Sequence, residues 1–137
     1  MSQLSLPVIT ERVSRIPREL KLFAVASLVL GMAYSMNDSI FNNYLNDRFA
    51  MSGFERAFLE FPRELPGFLV VFVSALLWFL CSRRLGALSM ALGVAGALLI
   101  GFASPSYWIM VVWLFGYSLG QHLFMPVAAT IGMELAE

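Results

Sequence analysis

Apolar residues dominate the chain, and its longest stretch without charge lies in the second half. No Asp, Glu, Lys or Arg occurs from Leu85 to Met133. As one helix this stretch would be about 73 Å long, more than twice the roughly 30 Å hydrocarbon thickness of a bilayer. Ser104-Pro105-Ser106 is the natural place to turn back, because Pro lacks a backbone donor and disfavours helix in the residue before it. The pattern therefore predicts a transmembrane hairpin.

The same pattern predicts four membrane spans. Each apolar run is long enough to cross a bilayer as a helix, and none shows the alternation that a barrel strand requires. Only helices and closed barrels satisfy every backbone polar group in lipid, so we expect an all-α polytopic membrane protein with four transmembrane helices. After a basic tail over 1–21 the membrane region covers 22–137, with spans at about 22–41, 65–82, 86–103 and 107–131.

Composition agrees with a membrane location, and the placement of basic residues predicts an orientation. Hydrophobic residues make up 59% of the chain and charged residues 13%, against roughly a quarter charged in an ordinary soluble domain. Basic residues cluster before the first span, and Arg83 and Arg84 follow the second. The positive-inside rule therefore predicts a cytoplasmic amino terminus in a plasma membrane, expected to be a bacterial inner membrane. A signal peptide is less favoured for the first run, because no small-residue cleavage site precedes Asn37.

The second span is expected to extend well outside the membrane. The sequence Ser-Gly-Phe-Glu at 52–55 matches the Ser-x-x-Glu capping box, in which each side chain satisfies a free amide at a helix start. This predicts a helix from there to Cys81. Because Pro62 and Pro66 fall within it, we also expect a bend or short interruption between 60 and 67.

Small residues at helical spacing predict the packing faces of the third and fourth helices. Such residues let helix backbones approach closely in lipid, where packing drives association. The predicted faces contain Gly93, Ala97 and Gly101, then Ala87, Ala91 and Ala95 on a neighbouring face, and Gly116 and Gly120 on the fourth helix.

Five polar residues within the spans are candidates for binding substrate or protons. Tyr34, Asn37 and Asp38 lie in the outer part of the first span. Asp38 is either a functional acid or a helix-end residue in headgroup water, because a carboxylate at membrane depth is costly unless paired, protonated or facing water. Gln121 and His122 lie near the middle of the fourth span and suit either a proton relay or interhelical hydrogen bonding. They point about 100° apart, so only one is expected to face a cavity.

The charged cluster of Glu60, Arg63 and Glu64 is a candidate outer gate. Counting back about 20 residues from the cytoplasmic turn puts Glu64 at the outer membrane boundary. The three side chains lie on adjacent helical turns, where Arg63 can pair with either acid. The alternative is ordinary solvated surface pairing.

Other chemistry is not indicated. No zinc-ligand spacing, phosphate-binding glycine loop, hydrolase triad or nucleic-acid patch occurs. The lone Cys81 is interpreted as a small structural residue. We therefore expect no enzyme activity, no catalytic or metal-binding residues, no cofactor and no nucleic-acid partner. The expected partners are the lipid bilayer, a small-molecule substrate and protons.

The layout resembles the opening third of a major facilitator superfamily transporter. The resemblance lies in a basic tail, a first helix ending in Asn and Asp, a long second helix that starts outside, a tight basic turn, and two helices rich in small residues. The family pattern Gly-x-x-x-Asp-Arg-x-Gly-Arg-Arg, laid on 79–88, retains Arg84 and Gly86, and has Arg83 in place of its Asp.

This resemblance implies twelve helices in two six-helix halves, with substrate bound between the halves near the midplane. The four spans would then be part of one half, and the remaining helices of the same protein would be partners. The chain is accordingly expected to be an amino-terminal fragment of a secondary active or facilitative transporter of a small solute. Helices one and four commonly line the cavity in this family, which implies a cavity role for the five polar candidates.

Two alternatives remain at this point. One is a complete four-helix homodimeric transporter like the small multidrug resistance family, which centres on a membrane-buried Glu in its first helix that this chain lacks. The other is a non-transporting membrane subunit that packs against a partner, favoured by the small-residue faces.

Overall fold

The computed structural model describes residues 16–136, and all regular structure in that range is α-helical. There are four helices: α1 (Arg18–Phe49), α2 (Gly53–Leu76), α3 (Ser82–Phe102) and α4 (Tyr107–Ala136). The all-α prediction is confirmed. Most of the predicted basic tail, residues 1–15, lies outside the described residues.

Within the described range, three helices are long and apolar enough to cross a membrane: α1, α3 and α4. The predicted second span, 65–82, does not coincide with a helix. Instead α2 ends at Leu76, a turn follows, and α3 begins at Ser82. Leu80 donates its backbone N–H to the Leu77 carbonyl within that turn. Because the turn is itself apolar (Leu-Trp-Phe-Leu), the hydrophobic pattern could not mark it.

The early start of α3 also places the two arginines that follow the predicted second span inside a helix. Arg83 and Arg84 lie in the first turn of α3 rather than in the loop between helices. The α3 start at Ser82 precedes the predicted start at 86, and Cys81 is its extended amino-terminal cap. By contrast, the predicted turn at 104–106 does separate α3 from α4, and the Trp113 indole N–H donates to the Ala103 carbonyl at the end of α3, 2.8 Å away.

α1 is longer than predicted, running to Phe49 instead of 41. Its outer turns continue to bury one face, because Phe41 and Leu45, one turn apart, pack into the core while asparagines occupy the exposed side. The helix ends at Ala50, whose left-handed conformation (φ 49°) directs its N–H to the Asn46 carbonyl. Left-handed end residues of this kind commonly stop helices.

The start of α2 agrees with the predicted capping box. The Glu55 backbone N–H donates to the Ser52 hydroxyl, and Ser52 donates its own backbone N–H to the Glu55 carboxylate at 2.8 Å. These hydrogen bonds, the one from the Ser52 backbone first and that from its hydroxyl second, lower the pKa of Glu55. Of the predicted bend or short interruption between 60 and 67, the interruption is wrong, because α2 is continuous through Pro62 and Pro66.

α4 lies at the centre of the bundle and packs against the three other helices. Two contacts give the direction of α1 and α3: Arg83 pairs with Glu19 near both starts, and Tyr44 donates to the Ile100 carbonyl near both ends. These two helices are therefore parallel. The chain then returns along α2 and α4, which places the successive helices in up-down-up-down order.

The closest packing is between α3 and α4. A Cβ built on Gly96 would lie 2.6 Å from the Tyr117 backbone, and one on Gly120 would lie 2.5 Å from the Gly93 backbone nitrogen. The predicted roles of Gly93 and Gly120 are therefore confirmed. Ser89 and Gly96 complete this contact without having been predicted. Of the other predicted packing positions, Gly101 and Gly116 face open space, and Ala87, Ala91 and Ala95 are exposed.

Candidate functional site

An open groove of about 630 Å³ runs between α1 and α4. On α1 it is lined by a polar stripe at helical spacing, and on α4 by one polar and two apolar residues. The polar lining residues are Ser27, Tyr34, Ser35, Asp38, Ser39 and Gln121. Thus three of the five sequence-predicted candidates, Tyr34, Asp38 and Gln121, lie along one groove.

Asp38 is held by an arginine from another helix. The Asp38 carboxylate lies 3.0 Å from the Arg63 guanidinium, which also lies 3.6 Å from Glu60. The side chains of Arg63 and Asp38 are 24% and 34% exposed, so the pair is half-buried. Arg63 therefore has two carboxylate partners, one on α1 and one a turn away on its own helix.

His122 turns away from the groove toward α2. Its Nε2 atom lies 3.6 Å from a Glu64 carboxylate oxygen, and its ring lies against Gly67, where an added Cβ would approach to 3.1 Å. Gln121, the next residue, lines the groove. The expectation that only one of these two neighbours faces a cavity is met, because adjacent helical residues point about 100° apart.

Two tyrosines lie behind the Asp38 carboxylate. The rings of Tyr34 and Tyr117 meet edge to face, with centroids 5.5 Å apart. Both hydroxyls are buried and have no hydrogen-bond partner among residues 16–136. Asn37 approaches the Tyr117 hydroxyl without hydrogen-bond geometry. The Tyr34 hydroxyl fits against Gly93, so the close α3–α4 packing also shapes this site.

A hydrogen bond to its backbone fixes the position of Arg63 along α4. The Ser118 hydroxyl donates to the Arg63 carbonyl. The hydroxyl of a neighbouring helix thus adds a hydrogen bond to a backbone carbonyl of α2, as Ser and Thr side chains do between helices in membranes. This contact places the charged part of α2 against the middle of α4.

The predicted depths of Glu64 and His122 are inconsistent with the structure. Glu64 was expected at the outer membrane boundary and His122 near the midplane, yet their side chains are in contact. The physical reason is the early end of α2 at Leu76, which leaves only about 18 Å of helix after Glu64. Glu60, Arg63 and Glu64 therefore lie level with the middle of α4.

The opposite end of the bundle holds the residues predicted for the cytoplasmic turn. Arg83 pairs with Glu19 of α1 at 3.2 Å, and Ser82 donates to Glu134 of α4 at 2.6 Å. Gly86 lies under Ile131, where an added Cβ would lie 2.8 Å from the Ile131 side chain. Arg84 is exposed. These contacts join α3 to both neighbours at this end.

Several residues of the site were not predicted from sequence. Ser27, Ser35 and Ser39 line the groove with Tyr34 and Asp38, and Tyr117 lies behind it. The α1 set recurs at intervals of three and four residues, so a search for a polar stripe at helical spacing could have found it. Tyr117 carries no such signal.

Comparison with protein families, with curated proteins and with solved structures finds no match to this chain. Among residues 16–136, no group of three or more His, Cys, Asp or Glu side chains could hold a metal ion. Assignment of a function therefore depends on the groove and the charged residues around it.

Proposed function

We propose that the protein carries a small solute across a membrane along the groove between α1 and α4. The observation that supports this most is the groove itself, which has a row of polar side chains along α1 and lies between two helices that are each long and apolar enough to span a bilayer. Polar and ionisable residues inside a membrane are costly and normally face a cavity or a partner. The row from Ser27 to Ser39, with Asp38 near its end, suits a solute path.

We also propose that α2 completes a fourth crossing. The support is topological. Because α1 and α3 are parallel, as the Glu19–Arg83 and Tyr44–Ile100 contacts indicate, the chain has to return between them. Residues 53–81 are the only segment available for that return. The charges of Glu60, Arg63 and Glu64 would be tolerated in the crossing because each has a partner within 4.0 Å.

The arrangement supports the major facilitator resemblance as a proposal. Helices one and four line the groove, as that family implies, and the groove is open on one side, where further helices of a six-helix half would close it. In this proposal the amino terminus is cytoplasmic, in a bacterial inner membrane. Glu60, Arg63 and Glu64 would act as a gate, and Glu64 and His122 as the proton-carrying pair.

Uptake into proteoliposomes tests the transport proposal. Vesicles with the full chain would be given radiolabelled glucose, alanine, benzoate or 2-phenylethylamine, with and without a proton gradient. At least one solute should accumulate above protein-free vesicles, and Asp38→Asn should reduce its uptake about tenfold, equivalent to about one charge-assisted hydrogen bond. Asp47→Asn, the same change farther along α1, should have no effect. If none of the four solutes accumulated above protein-free vesicles, the transport proposal would be contradicted.

A second candidate, a membrane subunit that only packs against a partner, is favoured by the exposed apolar face of α1. Leu28, Val29, Met32 and Met36 on this face are each more than half exposed. Such a face also suits contact with lipid. A chain that mediates no uptake but is recovered bound to a membrane partner would support this candidate instead.

A further inference from the structure

Acidic groups outnumber basic ones around the groove. Asp38 of α1 lines the groove, and Arg63 and Glu60 of α2 are joined to it by ion pairs. Glu64 of α2 and His122 of α4 form a neighbouring pair outside the groove lining. Residues 85–102 of α3 contribute none. With three carboxylates, one guanidinium and one imidazole, the cluster is negative whether or not the imidazole is protonated.

The groove presents one carboxylate beside an apolar wall. Of the charged side chains that the structure describes, only Asp38 lines it. Leu30, Phe124 and Met125 form apolar surface, and the serine hydroxyls and Gln121 supply neutral polar atoms. Its volume of about 630 Å³ falls in the range of drug-sized ligand sites. The lining thus combines one negative charge with space for an apolar body.

The acceptors beside Asp38 are neutral. Serine hydroxyls of α1 and the Gln121 amide oxygen line the groove and can accept from a ligand with several N–H donors. The hydroxyls of Tyr34 and Tyr117 are buried out of reach of the groove. A donor-rich group beside Asp38 would therefore be met by the carboxylate and by these neutral groove oxygens.

We propose that the groove binds a primary ammonium ion carried on an apolar body, and that this ammonium replaces Arg63 on the Asp38 carboxylate. This deepens the proposed transport function and depends on the same groove. An ammonium group has three donors, which suits Asp38 together with the neighbouring hydroxyl and amide oxygens. The apolar body would lie against Phe124 and Met125.

Arg63 can yield Asp38 without becoming unpaired. Glu60 already lies 3.6 Å from the guanidinium, on the same helix. The Arg63 guanidinium neutralises the Asp38 carboxylate, so that this carboxylate is not left unpaired in a largely apolar groove. When an ammonium enters, the number of opposite-charge pairs is conserved. An anion of the same shape would meet Asp38 and Glu60 instead and would be repelled.

Calorimetric titration of the purified full chain with three adamantane derivatives tests this proposal. At neutral pH, 1-aminoadamantane carries an ammonium, adamantane-1-carboxylate an anion and 1-adamantanol no charge, on the same hydrocarbon cage. The amine should bind saturably and the other two at least tenfold more weakly, about 1.4 kcal/mol. Equal binding of the carboxylate or the alcohol would overturn the proposal.

Variants distinguish the role of each partner. Asp38→Asn should weaken binding of the amine about tenfold or more, whereas Asp47→Asn should leave it unchanged. Arg63→Gln should strengthen it, because the competing guanidinium is gone. The double variant Asp38→Asn with Arg63→Gln removes both charges of the half-buried pair and leaves only Glu60, which is 59% exposed, without its arginine. It should fold, as judged by helical circular dichroism, yet not bind the amine. Unchanged binding in that folded double variant would contradict the proposal.

Failure of this proposal can be told apart from failure of transport. If the chain bound the amine but took up no solute, the transport proposal would be wrong and the ammonium site would be supported. If the chain took up benzoate or glucose but did not bind 1-aminoadamantane, transport would be supported and the ammonium site would be contradicted.

Discussion

The Nε2 atom of His122 lies 3.6 Å from a carboxylate oxygen of Glu64. This contact ties the middle of α2 to the middle of α4. The Glu64 side chain is 57% exposed. In the proposed crossing such a carboxylate has to face a water-filled path or a further helix, and an ion pair that faces water contributes little to stability. Under the proposed transport function we therefore expect the pair to take part in proton movement more than in stabilising the bundle.

A double-mutant cycle checks that assignment. Glu64→Gln and His122→Gln, singly and together, should show a coupling free energy of unfolding below about 1 kcal/mol. In contrast, His122→Ala should change the proton dependence of solute uptake. A coupling free energy of several kcal/mol, together with an unaltered proton dependence of uptake, would show that the pair has a structural role.

The helical fold and the apolar character of α1, α3 and α4 could be anticipated from sequence, but the position of α2 along α4 could not. Hydropathy reports which residues avoid water, and the turn at 77–80 is as apolar as the helix before it. Counting residues back through that turn therefore misplaced Glu64. The contact with His122 depends on how Gly67 and Ser118 let the two helices approach, which no single-helix pattern contains.

The site, too, was predicted only in part, because contacts between helices are not visible in the sequence. Asp38 and Gln121 are unusual residues within apolar runs, so they could be singled out one at a time. The pairing of Arg63 with Asp38 across helices depends on tertiary packing. Tyr117 is an ordinary aromatic residue of an apolar helix until the structure places it against Tyr34.

Substitutions of glycine by alanine should separate packing positions from open ones. Gly120→Ala and Gly96→Ala bring the new methyl group against backbone atoms, which cannot move aside without displacing a helix. We expect each to lower the free energy of unfolding by about 2 kcal/mol or more, as overpacking does. Gly116→Ala and Gly101→Ala enter open space and should be neutral or stabilising by up to about 1 kcal/mol.

Reversible unfolding in detergent, followed by circular dichroism, measures these four variants. If Gly120→Ala and Gly116→Ala unfolded alike, the close approach of α3 and α4 would be refuted.

The capping box predicts a pH dependence at the start of α2. The pKa of Glu55 is lowered in the folded state by its hydrogen bonds to Ser52, from an ordinary value of 4.5. The stabilisation is therefore present above pH 4.5 and is lost as the pH falls through the lowered folded value. Ser52→Ala should lower the unfolding temperature at pH 7 and have less effect at pH 3.

Glu55→Gln is the matched control, because Gln also serves in a capping box but does not titrate. In this variant the effect of Ser52→Ala should vary less between pH 7 and pH 3. An equal change in both backgrounds would show that another group is responsible.

The accessibility of introduced cysteines measures whether the α1–α4 groove is the aqueous path that we propose. Cys81 is the single cysteine, so Cys81→Ala provides a cysteine-free background. In that background Ser35→Cys and Ser39→Cys line the groove, whereas Met36→Cys lies on the apolar face of the same helix. In membranes, a charged maleimide should label the two groove positions and not Met36→Cys. Equal labelling at all three positions, or labelling at Met36→Cys alone, would contradict the account.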